Sequence, residues 1–153
     1  MSVEAVSCFQ SAAADETAMV PVEVLSASGV VEEPRRRRRV AAQVEARCAE
    51  LIGEADRRGI PEVEGFGSAT GWLIAITGDP PTVCRSRVRV ARALCHMPHT
   101  QEAFAAGDLS EPRVRLLVDA REFSPDLFCR DEALLVGQAC RLSSRVFPLV
   151  LSQ

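Results

Sequence analysis

The stretch VAAQVEARCAELIGEADRRGIP, Val40 to Pro61, reads as an amphipathic helix with a marked end. At about 100° per residue, Val40, Val44, Cys48, Leu51, Ile52 and Ala55 fall within one third of the wheel. Glu50, Glu54 and Arg58 lie on the opposite side at helical spacing, which predicts a solvated face there. Gly59, Ile60 and Pro61 form a stop signal: glycine takes the left-handed cap and proline cannot continue the helix.

Upstream lie five consecutive arginines, Arg35 to Arg39, beside Glu32 and Glu33. At the start of this helix they would meet the positive end of its dipole, so the ordered helix is expected to begin near Val40. Residues 1–34 show no sustained period and carry a Ser-Ala-Ser-Gly run, Ser26 to Gly29. Residues 1–39 are therefore read as a flexible leader ending in an arginine run. That run is either a solvated charge cluster or a basic arm for nucleic-acid phosphates.

Downstream, caps and stops divide the chain into further helices. Pro61 to Gly67 is a loop. Ser68 caps Ala69 to Ile76, which holds the only tryptophan, Trp72, read as a core anchor, and Gly78 ends it. Pro80 and Pro81 open Thr82 to Leu94; Gly107 stops Thr100 to Ala106. Ser110 caps Glu111 to about Arg121, with Val114, Leu117 and Val118 inward and Leu116 on a flank. Pro125 and Asp126 start a helix to about Arg141. No strand period stands outside the leader. The expected class is all-α, an irregular bundle of about six helices in a domain over residues 40–153.

The 153 residues are 47% hydrophobic and 25% charged, which excludes wholesale disorder. The uncharged stretch Phe66 to Gly78 is too short to span a bilayer, and no basic residue precedes Arg35; a soluble, cytoplasmic chain without membrane contact is expected. All 18 basic residues are arginine, as coding bias from a GC-rich genome would produce, so a single arginine carries little meaning. The net charge of -3 argues against a wholly basic nucleic-acid binder, although local fields matter more than the total.

Six cysteines, at 8, 48, 84, 95, 129 and 140, form no C-x-x-C pair and are read as reduced thiols that pack as small hydrophobes. Cys95, His96 and His99 are the strongest metal candidates, but Pro98 interrupts them and no second ligand pair exists; no metal and no cofactor are expected. No serine, cysteine or histidine has an activating partner at a telling spacing, and the GFGSATG run lacks the lysine of a phosphate-binding loop.

Helix, glycine turn, helix over Ala69 to Leu94 is the outline of a helix-turn-helix. On the wheel of its second helix Val83, Val90 and Leu94 cluster on one side, and Arg85, Arg89 and Arg92 on the other within about 60°. No acid lies between Pro80 and Gln101. Arginine forks suit phosphate or a guanine edge, and the N-terminal half of a second helix faces bases. The candidate DNA-binding residues are Thr82, Arg85, Ser86 and Arg89, with Arg92 on phosphate. The alternative is the ordinary charged face of one bundle helix. Arg87 points to the apolar side; it either snorkels to the edge or, the preferred reading, forms a buried pair with a carboxylate such as Asp108 or Asp119.

The runs EADRRGIPEVEGFGSATGWL (Glu54 to Leu73), RVRVARAL (Arg87 to Leu94) and AAGDLSEPRVRLLVDA (Ala105 to Ala120) resemble the helical domain of actinobacterial 13E12 repeat proteins. That domain is catalogued as domain of unknown function 222, and it usually precedes an HNH endonuclease domain. The resemblance covers about residues 40 to 153. Thr82 to Ala120 is also similar, more loosely, to the helix-turn-helix region of ParB-type partition proteins, which implies DNA binding. The chain departs from a nuclease in having two histidines and no C-x-x-C pair. The resemblance thus implies kinship to a nuclease without nuclease activity. The apolar Val146 to Gln153 run has no cap and suggests truncation.

Three functions follow as expectations. The first is a non-catalytic DNA-binding or accessory domain. The second is a helical interaction module, a homo-oligomer or a dock for a partner chain, through Phe147, Leu149 and Leu151. The third is a remnant of a mobile-element-associated gene without retained function.

Overall fold

The computed structural model describes residues 20–142, and within these every regular element is a helix. After a 3-10 turn at Val22–Val24 come α1 (Ala27–Arg57), α2 (Ile60–Val63), α3 (Ala69–Thr77), α4 (Pro81–Leu94), α5 (Pro98–Ala105), α6 (Glu111–Phe123) and α7 (Pro125–Arg141). The chain divides into two units, Met1–Arg35 and Arg36–Gln153. The class is all-α, as expected. The apolar C-terminal run beyond Leu142, with Phe147, Leu149 and Leu151, lies outside the described residues, as do residues 1–19 of the expected leader.

The largest departure is the start of α1, at Ala27 instead of near Val40. Ser26 Oγ accepts the Gly29 N–H at 3.1 Å, a helix N-cap within the Ser-Ala-Ser-Gly run. Because the helix starts there, the five arginines sit along its body, clear of the unfavourable dipole end. Arg35 donates to Glu32 at 2.7 Å, one turn away. Pro34 lies inside the helix and removes the N–H that would have met the Val30 carbonyl.

The buried face of α1 also differs from the expected one. It is the small-residue face: Ala42, Ala46, Ala49, Ile52 and Ala55. Of the predicted apolar set only Ile52 and Ala55 are buried; Val44 and Leu51 are each 56% exposed. Close approach of helix backbones selects small residues. A Cβ on Gly53 would stand 3.5 Å from the Ala91 carbonyl oxygen of α4, an ordinary contact distance, so the two helices run close together here.

Local signals set the other helix ends. Ser68 Oγ accepts the Gly71 N–H at 3.1 Å, and Gly78 closes α3 in the left-handed region at φ 71°. Pro61 enters a single turn, α2, where a loop was expected. Pro98 opens α5 two residues before the expected Thr100, because proline is tolerated at a first helical position. Trp72 is partly buried against the core, and its ring N–H donates to Glu64 at 2.8 Å.

α4 packs on α3, α5 and α6, and α7 packs on α5 and α6. Phe104, Leu109, Val114, Leu117, Val118 and Ala139 are almost wholly buried, and Leu116 flanks them. Two polar residues are buried with them, Thr100 and Glu132. Glu132 of α7 accepts from the Thr100 backbone N–H at 2.8 Å and from its hydroxyl at 2.9 Å. A carboxylate from a distant helix thus caps the first turn of α5. At the other end of α5, Arg39 and Gln43 of α1 donate to the Ala106 carbonyl at 3.1 and 3.3 Å. Gly107 there has φ 80°, and a Cβ on it would stand 2.8 Å from the Arg39 carbonyl oxygen.

Candidate nucleic-acid interface

α4 buries Cys84, Val88, Val90, Ala91, Ala93 and Leu94, so its free face is narrow. Thr82, Arg85 and Arg92 are exposed on it; Ser86 and Arg89 are half-buried. Two shallow grooves divide these five candidates. Thr82 and Ser86 line one of about 300 Å³ with Glu45, Arg87, Glu111 and Arg115. Arg85, Arg89 and Arg92 line the other, of about 340 Å³, with Thr70 of α3 and Arg121 and Glu122 of α6. The three arginines share a groove as their spacing predicts, whereas Thr82 and Ser86 line the adjacent one.

The acid-free sequence around α4 does not make an acid-free surface. Arg89 meets Glu122 through a two-pronged contact, Nε to Oε1 and Nη2 to Oε2, each 2.8 Å, and also bonds Asp119. Arg92 meets Asp56 of α1 in the same manner, at 2.7 and 2.8 Å. These planar forks match carboxylates as well as they match phosphates. The hydrogen bonds that Arg89 donates to Glu122 and Asp119 push its pKa further up, and those that Arg92 donates to Asp56 do the same for Arg92. In return Arg89 holds Glu122 below the usual carboxylate range, and Arg92 does so for Asp56. Arg85 takes part in none of the described ion pairs.

Arg87 does face inward, but it pairs with neither Asp108 nor Asp119. Its partner is Asp79 in the turn before α4, which geometry brings close and the helical wheel does not show. Burial, the largest single influence, works against the Arg87 charge; the hydrogen bond it donates to Asp79 and the nearby negative charges of Asp79 and Glu45 together outweigh it, and the pKa stands above its ordinary value.

Arg121 was not among the candidates. It follows Leu117 and Val118 by four and three residues, so it continues the apolar stripe of α6 toward the core. An arginine in register with a buried stripe is the signal that could have found it. Its Nε is one of two buried side-chain polar atoms, among the described residues, without a hydrogen-bond partner.

Other candidates converge less. A larger groove of about 770 Å³ runs between the second half of α1 and the end of α4, with Glu54, Asp56, Arg57, Arg58, Cys95 and His96 in its walls. Its charges are mutually paired: Arg57 and Arg58 hydrogen-bond Glu54 and lower its pKa to about 2. Among the described residues no three His, Cys, Asp or Glu side chains gather as a metal site. Cys84 is a buried thiol; Cys48, Cys95, Cys129 and Cys140 are exposed and free, which departs from small-hydrophobe packing. No described helix is long and apolar enough to cross a membrane.

No family model, curated protein or solved structure matches the chain. The groove's own chemistry therefore carries the functional reading.

Proposed function

We propose that this is a non-catalytic helical domain that contacts the phosphate backbone of DNA through the outer face of α4. It is an accessory domain of the kind that the resemblance to the 13E12 repeat family implies. The observation that supports it is the shared groove of Arg85, Arg89, Arg92 and Arg121, four guanidiniums from two helices. The role of α4 is revised from base reading toward backbone contact. Arg89 and Arg92 are held along the helix flanks by Glu122 and Asp56, an arrangement that suits positioning on a strand better than reaching into the major groove. Thr82 and Ser86 retain a base-facing role only if the duplex also covers the neighbouring groove.

The test is binding of purified protein to a labelled duplex across a salt series, with and without Arg85→Glu. Arg85 is exposed and outside the described ion pairs, so this change leaves the fold intact. Affinity should fall by about 0.9 log unit per log unit of salt for each phosphate contacted, and Arg85→Glu should weaken binding about tenfold. Unchanged affinity in Arg85→Glu would remove α4 from the interface.

A second reading, a helical interaction module, has its own support. Val44, Cys48 and Leu51 form an exposed apolar stripe on α1 within one face of the helix. Light scattering on wild type and Leu51→Glu separates the readings: a dimer that this change dissolves favours the module.

A further inference from the structure

We infer that the groove between α3, α4 and α6 is a phosphate seat occupied in the free protein by the protein's own carboxylates, with Arg121 as its inner donor. This rests on the DNA reading above and adds to it the residues Arg121, Asp119 and Glu122.

Three observations carry it. Arg121 lines the groove, yet its Nε is buried without an acceptor, so one guanidinium at this site is short of a hydrogen bond. A buried donor left unsatisfied is costly, and an arriving phosphate oxygen would relieve that cost after a small rotation of the side chain. Arg89 has the opposite condition. Its fork is filled by Glu122 at 2.8 Å on both prongs, with Asp119 behind, which is the geometry a phosphate would occupy. Both carboxylates are about half-exposed, at 50% and 57%, so they can swing into water when displaced.

The charge balance supports a polyanion. Four guanidiniums face three carboxylates, Asp56, Asp119 and Glu122, leaving little net attraction for a lone monovalent anion. Arg85 to Arg92 span about 10 Å along the helix axis. A duplex strand offers one charge per roughly 3.4 Å, so a backbone laid along the groove supplies several phosphates at once, enough to displace the carboxylates together. Association is then weakened at two of the four arginines, because contacts to Arg89 and Arg92 begin by breaking an internal ion pair.

The experiment compares wild type, Arg121→Gln and the double variant Asp119→Asn/Glu122→Gln on a short mixed-sequence duplex at low salt, with melting curves to verify folding. Neutralising the two carboxylates should tighten binding at least about threefold, the lower range expected for releasing exposed ion pairs. Arg121→Gln should weaken it about fivefold and flatten the salt slope by about 0.9. Binding seen only after Asp119 and Glu122 are neutralised also supports the seat. If Arg85→Glu abolishes binding while these variants equal wild type, the seat is wrong and the DNA reading stands. If neither wild type nor the neutralised variant binds, both fall. Equal binding of an oligoglutamate peptide at matched charge would overturn the nucleic-acid identity of the ligand.

Discussion

Glu132 and Glu122 are the same residue type, each accepting hydrogen bonds from another helix, and they do different work. Glu132 is 4% exposed and holds the first turn of α5 through the Thr100 N–H and hydroxyl. Glu122 is half-exposed and holds a guanidinium that water also reaches. The first contact has no substitute: removing it leaves two donors buried without acceptors. The second exchanges readily with water or another anion. The contrast separates the two regions. The α5–α6–α7 end of the bundle is held by contacts whose loss is severe, whereas the outer face of α4 is held by contacts that a ligand can replace.

The sharpest way to break this contrast is at Glu132. Glu132→Ala should cost about 3 kcal/mol by urea denaturation, since it strips the cap from α5 and strands the Thr100 donors. Glu132→Gln keeps an acceptor oxygen and should cost less. A loss under 1 kcal/mol for the alanine variant would mean that water enters and satisfies Thr100, and the interior would be less closed than its burial indicates.

The opposite end of α5 provides a second, smaller effect. Gly107→Ala forces a β-carbon into a left-handed backbone conformation and against the Arg39 carbonyl. A cost of about 2 kcal/mol is expected, read as a lowered melting temperature. A neutral outcome would show that α1 moves freely at Arg39 and does not clamp the end of α5.

What the sequence made legible follows the same division. Helix ends were readable because their causes are local: Ser68 before α3, Gly78 after it, and prolines in the first turns of α4, α6 and α7. The start of α1 was missed because the dipole argument took the arginines for the helix beginning, although Ser26 was the cap. The buried face of α1 was misjudged because the wheel weighs hydrophobicity and passes over alanine, which supplies four of its five buried positions. The α4 stripe was legible as a face, but its neutralisation was not. The carboxylates on Arg89 are 30 and 33 residues away, and the one on Arg92 is 36 residues away. No local count of acids reaches that far. Arg121 and Glu132 share one signature, a charged residue in register with buried neighbours, and that signature was readable.

The smallest effect tests the other side of the contrast. Glu122→Gln removes one exposed partner of Arg89 and should lower stability at neutral pH by about 0.5 kcal/mol or less after screening by solvent. Its sign with pH follows from the depressed folded-state pKa of Glu122. The contribution is fully present above the ordinary glutamate value of about 4.3 and disappears as pH falls through the lower folded value. The melting temperatures of wild type and Glu122→Gln should therefore differ slightly at pH 7 and converge in acid. A large gap at pH 7, comparable to that of Glu132→Ala, would make Glu122 a structural clamp. A clamp would not release Arg89 to a ligand, so such a gap would count against exchange at the groove as directly as unchanged DNA binding.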